Sequence, residues 1–285
     1  MPLTNAYSFS FNGQTFGGAG SPYQILTVDG LESIPTIRNQ DDNRGYNDGM
    51  FTGRDFLGGR TISIIFNTFG SGATSAQENL NTIQAALLPQ SSGTTPLYFL
   101  IPDGTGTEQF VNARVRVFRT TVDVNYTYGY ITSQVDFFCA DPRYYNSTLN
   151  TLSLAVGGGL GRVYNRTYNL VYLTGAPSYT TVTNTGRTDT YPTITFNGPI
   201  TNPIFGNVTQ AKYIFLNGTF VDTDVCVIDL QNQLITLNGN PARNLMLGGS
   251  EWWSASPGAN SIFYFGTGIV SGTTSASISW YNAFI

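Results

Sequence analysis

The chain has 285 residues, with 17 acids and 13 bases, a net charge of −4, no histidine and only two cysteines. The absence of histidine excludes Ser–His–Asp and Cys–His catalytic pairs and histidine-ligated metal sites, and two isolated cysteines cannot form a four-ligand zinc site. Charged residues make up only 11% of the chain and aromatic residues 14%, which is typical of packed β-sheet and not of disordered or basic nucleic-acid-binding protein. We therefore expect no enzyme active site, cofactor or metal.

The beginning of the chain has neither a basic segment nor an apolar segment of the kind found in signal peptides. No apolar run approaches the roughly 18 residues that a transmembrane helix needs. We expect a protein made in the cytoplasm that is not inserted into a membrane.

Three segments of the first half alternate apolar and polar residues, which predicts half-buried antiparallel strands. These segments are residues 60–66, 113–118 and 133–139. In the second of them, Val115 and Val117 are predicted to face the core. Arg114 and Arg116 would then lie on the opposite face, which together with Arg119 would be a solvated or inter-subunit surface.

One segment has the pattern of a helix instead. Residues 75–78 read Ser-Ala-Gln-Glu, a capping box in which the serine hydroxyl accepts a hydrogen bond from the glutamate amide. Apolar residues follow at helical spacing, at Leu80, Ile83 and Leu87. The segment predicts one amphipathic helix, over about residues 76–88.

A glycine cluster at residues 157–161 suggests a connection between two domains. We place the boundary near residue 150, with domains at 1–150 and 151–285. The first half holds 12 acids and 8 bases, a net charge of −4, whereas the second holds 5 of each. The negative charge therefore belongs to the first half.

The second half is predicted to be β throughout. Its strand-like segments recur at roughly 8–12 residues with turn residues between them, which indicates a β-sandwich or jelly roll. The segments are residues 190–199, 213–216, 225–230, 233–237, 261–265 and 276–281. Asn-Gly pairs at 217–218 and 238–239 predict hairpin turns.

Four groups of residues are weighed as sites. Asp222 and Asp224 could form a carboxylate pair of glycosidase type or a calcium site, or simply a solvated turn before a strand. The acidic stretch around residues 41–42 could likewise be a catalytic or calcium site, or simply a solvated loop. Trp252 and Trp253 could stack on a sugar ring, or could be core or interface residues. The remaining group consists of Cys139 and Cys226, which we expect to be buried free thiols.

Several segments, taken in order, resemble the distal tail protein family of long-tailed, non-contractile bacteriophages. In the first half they are residues 23–31, 51–64, 113–116 and 138–144, the last containing Asp-Pro-Arg-Tyr. In the second half they are residues 184–186, 191–199, 227–229, 238–239 and 253–262, in the order of that family's galectin-like domain.

The resemblance implies a fold and a role. The fold would be mainly β, with an N-terminal β-rich ring-forming domain that carries one α-helix and a C-terminal galectin-like β-sandwich of jelly-roll type. The role would be that of a structural virion protein, assembled in the host cytoplasm and located at the tail tip. It would form a hexameric ring that joins the tail tube to the tail-associated or central fibre protein. DNA would pass through the lumen of the ring without specific binding.

A closed ring requires head-to-tail contacts between copies. Two polar, glycine-rich stretches, residues 13–22 and 40–59, are candidate arms that order on assembly. The candidate ring-interface or lumen residues are Arg114, Arg116, Asp41 and Asp42. An acidic lumen would repel DNA phosphates.

Three other functions stay open on the sequence. A carbohydrate- or receptor-binding tail module would depend on Trp252 and Trp253. A glycoside hydrolase would depend on Asp222 and Asp224. The third function, a tail-tube subunit, does not account for a galectin-like second half.

Overall fold

The computed structural model describes residues 3, 7–89, 91, 93–101, 106–154, 179–270 and 272–285. The chain divides into two compact units, Met1–Ser147 with Ile285 and Thr148–Phe284. The described residues are mostly strand with one α-helix, so the predicted fold class is confirmed. None of the helices in these residues has the length and apolar composition of a membrane span. The glycine cluster at 157–161 lies outside the described residues.

The N-terminal unit contains twelve of the described strands, α1 and one short 3-10 helix. The strands are β1 (Phe9–Phe11), β2 (Gln14–Phe16), β3 (Tyr23–Asp29), β4 (Ile37–Arg38), β5 (Asp42–Asn43), β6 (Met50–Phe51), β7 (Phe56–Leu57), β8 (Arg60–Phe69), β9 (Thr95–Phe99), β10 (Gln109–Thr121), β11 (Tyr130–Cys139) and β12 (Tyr144–Asn146). The helices are α1 (Ala73–Leu87) and the 3-10 helix Val124–Tyr128.

The larger sheet of this unit has the order β2-β1-β9-β10-β11-β8-β3, and all its pairings are antiparallel. The long strand β10 pairs with β9 through its first part and with β11 through its second, so it connects two halves of the sheet. Side chains of the two halves meet in one core: the rings of Phe11 and Phe137 lie 4.9 Å apart, and those of Phe16 and Phe66 lie 5.0 Å apart. Because Phe16 is a fully buried residue of β2, the prediction of an arm at 13–22 is wrong.

The predicted alternation is confirmed in β8 and β11. In β8, Ile62, Ile64 and Phe66 are fully buried, and in β11 Val135 and Phe137 are fully buried. The intervening residues of both strands are only partly buried or exposed. We call the side of β10, β11 and β8 that faces away from this core the outer face.

Strand β10 departs from the predicted alternation at a β-bulge. On β11, Phe137 is the partner of Val115 and Asp136 is the partner of Val117, so Arg116 is an extra residue between them. The prediction that Val117 faces the core is therefore wrong, because the bulge moves it to the outer face. The same shift places the arginines before and after the bulge on one side of the sheet.

Helix α1 buries Leu80, Ile83 and Leu87, as its apolar spacing predicts. It begins at residue 73, three residues before the predicted start, and its N-cap is Gly72 without a side-chain hydrogen bond. The capping box at 75–78 is therefore wrong, because these residues already lie within the first turns. The helix ends where expected, since the residue before Pro89 is extended, as residues before proline usually are.

The C-terminal unit contains the other described strands and two short 3-10 helices. The strands are β13 (Asn150–Ser153), β14 (Tyr179–Asn184), β15 (Thr193–Asn197), β16 (Ile200–Asn207), β17 (Lys212–Phe215), β18 (Thr219–Phe220), β19 (Val225–Asp229), β20 (Leu234–Leu237), β21 (Asn240–Pro241), β22 (Gly258–Thr267), β23 (Ser275–Trp280) and β24 (Ala283–Phe284). The 3-10 helices are Val208–Gln210 and Arg243–Leu245.

Apart from β24, these strands form two antiparallel sheets that pack face to face. One sheet has the order β13-β23-β15-β19-β20-β21, and the other has the order β14-β22-β16-β17 with β18 also paired to β16. Phe196 of the first sheet and Phe205 of the second lie 5.1 Å apart in the shared core, and Phe205 stacks on Tyr264 at 4.6 Å. This is the β-sandwich that the strand spacing predicts.

The two Asn-Gly pairs have different roles. Asn238 and Gly239 both have positive φ and join β20 to β21, so a hairpin turn is confirmed there. Asn217 and Gly218 do not close a hairpin, because the strands before and after them both pair with β16. The prediction of a hairpin turn at 217–218 is therefore wrong.

Candidate functional site

A long excursion leaves the N-terminal unit between β3 and β8. We call residues 34–58 the arm. It consists of two short antiparallel ladders, β4 with β7 and β5 with β6, and a turn at residues 44–49 connects β5 to β6. Almost every residue of the arm is exposed, so it packs against little of its own chain. The arm includes all but the last residue of the stretch 40–59, which the sequence predicts to be an arm.

The arm exposes apolar side chains that a solvated loop would not need. Ile34 is 78% exposed, Ile37 62% and Phe51 61%. The other large apolar residues exposed on the arm are Tyr46, Met50 and Leu57. Clusters of exposed apolar residues mark surfaces that become buried in a complex. The arm therefore has the composition of an interface.

The charges of the arm are unevenly satisfied. Each of its three arginines lies over an aromatic ring of the arm: Arg38 and Arg54 lie over Phe56 at 5.5 and 5.2 Å, and Arg44 lies over Phe51 at 5.2 Å. Its carboxylates make no ion pair in the part of the chain that the structure describes. The arm thus presents carboxylates without cationic partners.

Two of these carboxylates were singled out in the sequence. Asp41 accepts hydrogen bonds from the backbone N–H of Gly53 across the arm, at 2.9 Å, and from the Asn39 side chain at 3.3 Å. Within the described part of the chain, Asp42 accepts a hydrogen bond only from the backbone N–H of Asn43. Asp41 therefore braces the arm, whereas Asp42 is free to contact a partner.

The three arginines of β10 lie on the outer face, where we call them the arginine face: Arg114, Arg116 and Arg119. All three are exposed. The guanidinium of Arg116 lies 5.2 Å from the ring centroid of Phe138, a neighbour on β11. Among the described residues, no carboxylate forms an ion pair with any of the three. Asp136 lies on the same face but accepts hydrogen bonds from Ser63 and Gln134, so the arginine face is a cationic surface with no ion pair among the described residues.

A cavity of about 280 Å³ adjoins this face. Arg114 and Arg116 form part of its wall, and the rest is mostly apolar, with Phe11, Leu88 and Val115 among the lining residues. An apolar cavity with two cations in its wall suits a group that is apolar and carries a carboxylate. We call this cavity the arginine pocket.

The base of the arm is held by one buried arginine that the sequence analysis did not single out. Arg60 is only 2% exposed. Its Nη1 donates to the carbonyls of Gly30, Leu31 and Ser33, where the chain leaves the body, and its Nε donates to the carbonyl of Pro142. Burial lowers the pKa of the guanidinium, but an arginine side chain keeps its charge in proteins.

Two further contacts fix this arrangement. The Arg60 guanidinium lies 4.4 Å from the ring centroid of Tyr144, in the Asp-Pro-Arg-Tyr segment. Gly30 has φ of +79°, and a Cβ on it would collide with the Thr61 carbonyl oxygen. Arg60 also shares the strand parity of Ile62 and the other buried residues of β8. This position of Arg60, in phase with the buried residues of the strand, is the sequence signal that could have revealed its burial. We call Arg60 the anchor of the arm.

The two tryptophans lie in different environments. Trp253 is 1% exposed and belongs to the core of the C-terminal unit, so neither face of its indole is available to a sugar. Trp252 is partly buried, and the guanidinium of Arg243 lies 5.6 Å from its ring. A two-tryptophan stacking platform is therefore ruled out by the burial of Trp253.

The carboxylates of Asp222 and Asp224 belong to an exposed turn before β19. Asp224 accepts hydrogen bonds from the Val221 amide at 2.8 Å and the Asn238 side chain at 2.9 Å. These bonds lower its pKa, the Val221 amide most strongly. A glycosidase needs a general acid whose pKa is raised, so this geometry favours the turn interpretation.

Both cysteines are free and buried, Cys139 in the N-terminal unit and Cys226 in the C-terminal unit. Burial raises the pKa of each thiol to about 12, so both are protonated near pH 8. We expect an aromatic disulfide reagent at pH 8 to label fewer than one thiol per ten native chains, because the thiolate is the reactive form. In denaturant the same reagent should label both. Rapid labelling of the native protein would contradict this prediction.

Comparison with known proteins gives a family match and two similar structures. Residues 185–284 match the family model for the siphovirus-type tail component, C-terminal domain. The fold is similar to the crystal structure of the Dit protein of phage SPP1, a hub of the adsorption apparatus in phages that infect Gram-positive bacteria. The TM-score is 0.67 at 17% identity, covering 99% of this chain and 100% of that one. No curated protein sequence matches this chain.

A second similar structure is a chain in the baseplate of phage P2, in its activated conformation with calcium. The TM-score is 0.50 at 10% identity, and the match covers 96% of this chain and 97% of the baseplate chain. Together with the family match, these structures confirm the predicted resemblance to siphovirus tail components.

Proposed function

We propose that this protein is a structural hub of a long-tailed phage, assembled in the host cytoplasm and located at the tail tip of the virion. Six copies would close into a ring that joins the tail tube to the tail-associated or central fibre protein. The N-terminal domain, predicted at residues 1–150, would form the ring, and the galectin-like domain, predicted at residues 151–285, would project from it. The protein would act by binding other tail proteins and would catalyse no reaction.

The exposed arm is the observation that carries this proposal. An isolated soluble domain gains nothing from an arm whose apolar side chains lie in water, because burying them is favourable by roughly 25 cal/mol per Å². In a ring, each arm could be buried against the next copy, and head-to-tail contacts of this kind close when the rotation between copies completes a circle. The resemblance to tail components supports the same conclusion.

The charge of the N-terminal half supports a lumen through which DNA slides. Residues 1–150 carry −4 formally, so six copies at −4 each would carry −24. Binding to DNA depends on cationic contacts to phosphates. A ring with an excess of carboxylates on its lumen would repel the phosphates and leave DNA mobile. We therefore propose that DNA passes through without specific binding.

The ring and the role of the arm can be tested together. We expect the purified protein to form six-fold rings in negative-stain electron micrographs and to have the mass of a hexamer by light scattering. The triple variant Ile37→Ser, Phe51→Ser and Leu57→Ser should remain monomeric, because it removes apolar contacts that only the assembly buries. Its circular dichroism spectrum should be unchanged, since these side chains are exposed in one copy.

A matched control lies in the same unit. Val122, Val124 and Tyr128 are about as exposed as the arm residues, and their replacement with serine should leave the ring intact. A wild-type chain that stays monomeric at all concentrations would overturn the proposal. Rings formed equally well by the arm variant would show that the arm is not the contact.

A further inference from the structure

The tip of the arm and the arginine face carry net charges of opposite sign, because the tip has three carboxylates and a single arginine, Arg44, which lies over Phe51. The tip of the arm holds Asp42 and Asp48, which form no ion pair in the described residues, and Asp41 adds a third carboxylate that is already braced. The arginine face holds three guanidinium groups, likewise without a carboxylate partner. Charges of opposite sign on two different surfaces of one chain can pair across a head-to-tail contact between two copies.

The apolar parts of the two surfaces also match. The strand after the tip, β6, carries exposed Met50 and Phe51. The arginine pocket has a mostly apolar wall that includes Phe11, Leu88 and Val115. An apolar side chain of the tip could enter the pocket while the neighbouring carboxylates meet Arg114 and Arg116. Arginine is well suited to such contacts because its planar fork binds carboxylates through two parallel hydrogen bonds.

The arm is long enough to reach another copy. About eleven residues separate its base from the turn at its tip, so the tip lies at most about 35 Å away if the chain is extended. A unit of this size has a radius of gyration of about 15 Å. The tip can therefore extend past the body of its own unit and contact the surface of a neighbour.

From these observations we infer that the arginine pocket, with Arg114 and Arg116 in its wall, is the receptor for the acidic arm tip of a second copy of this chain. The inference rests on the proposed ring and adds the identity of the two contacting surfaces. Asp42 and Asp48 are the partners of the arginines, and Asp41 keeps the tip in shape. The bulge at Arg116 is what brings the arginines of β10 to one face, and it is therefore part of the interface.

Charge reversal and its compensation test the pairing. We expect Arg114→Glu with Arg116→Glu to raise the concentration needed for half-assembly at least about tenfold, because like charges would then face each other. Asp42→Arg with Asp48→Arg should do the same. Combining all four substitutions should bring the concentration for half-assembly back to within about threefold of wild type. Light scattering across a dilution series measures all three variants.

The controls separate this inference from the proposed function. Asp222→Arg changes an exposed carboxylate of the C-terminal unit and should leave assembly unchanged. If wild type assembles and both reversed variants assemble equally well, the pairing is overturned while the ring proposal stands. If wild type never assembles, the ring proposal itself fails. Pocket-reversed chains that still form rings but lose binding to a short DNA duplex, which wild type binds, would assign the arginines to DNA instead.

Discussion

Replacing Arg60 with methionine is expected to lower the free energy of unfolding of the N-terminal unit by about 3 kcal/mol. The substitution keeps an unbranched side chain of similar length but removes every donor. The carbonyls of Gly30, Leu31, Ser33 and Pro142 would lose their shared partner. A buried carbonyl without a partner costs about 1–3 kcal/mol, and hydrogen bonds to a charged donor are stronger than neutral ones.

Two effects oppose each other at this site. Removing Arg60 relieves the desolvation of a buried cation, which no carboxylate among the described residues compensates with an ion pair. Against this, the variant loses the carbonyl contacts and the contact with the Tyr144 ring, which is worth about 2 kcal/mol when desolvated. Because some of the freed carbonyls lie near the surface and can bind water, we expect a net loss near 3 kcal/mol and not the full sum.

Thermal unfolding followed by circular dichroism measures the effect. A loss of about 3 kcal/mol corresponds to a fall in the melting temperature of roughly 10 °C for a unit of this size. Arg119→Met is the matched control, since it removes an exposed arginine of the same unit and should change stability by less than about 0.5 kcal/mol. Arg60→Lys keeps the charge but not the planar fork and should lie between them. Equal melting temperatures for Arg60→Met and Arg119→Met would contradict the proposal that Arg60 stabilises the N-terminal unit.

Hydrogen exchange gives a second, independent test of the role of Arg60. Since Arg60 connects both ends of the arm to the body, its loss should raise hydrogen exchange at residues 30–38 before the unit unfolds. Exchange in β11 should rise less, because its hydrogen bonds to β8 and β10 do not depend on Arg60. Uniform acceleration across the unit would indicate loss of stability alone.

Regular strands were predictable because their burial follows the sequence directly. Ile62, Ile64 and Phe66 alternate with polar residues and all face the core. Val117 was assigned to the wrong face because a bulge changes the parity without any change in composition. The start of α1 was misplaced because a capping-box sequence at 75–78 is also compatible with the interior of the first turns, where Gly72 serves as the cap.

The candidate site also has features that could be predicted from the sequence and features that could not. The arm could be predicted from a polar, glycine-rich stretch that lacks a periodic apolar pattern. The arginine pocket could not, because its wall combines residues of β10 with Phe11 and Leu88, which are distant in sequence. Arg60 was overlooked because an arginine is usually exposed, although its phase with Ile62 pointed to burial.

Replacing Trp253 with alanine is expected to lower the free energy of unfolding of the C-terminal unit by about 3–5 kcal/mol. The indole is 1% exposed, and its Nε1 has no hydrogen-bond partner among the described residues, so the loss would come from apolar packing and the cavity left behind. Trp252→Ala should cost only about 1 kcal/mol, because that ring is partly exposed and its contact with Arg243 lies near the surface.

Thermal unfolding of the full chain, followed by tryptophan fluorescence and circular dichroism, compares the two variants. The same preparations, applied to a glycan array, separate a core role from a sugar-binding role. Because a buried indole cannot stack on a sugar, any glycan binding should survive Trp253→Phe, which keeps an apolar ring in the core. A Trp253→Phe variant with unchanged melting temperature but abolished glycan binding would contradict the core role. It would favour the carbohydrate-binding alternative over a C-terminal unit that acts by supporting other tail proteins.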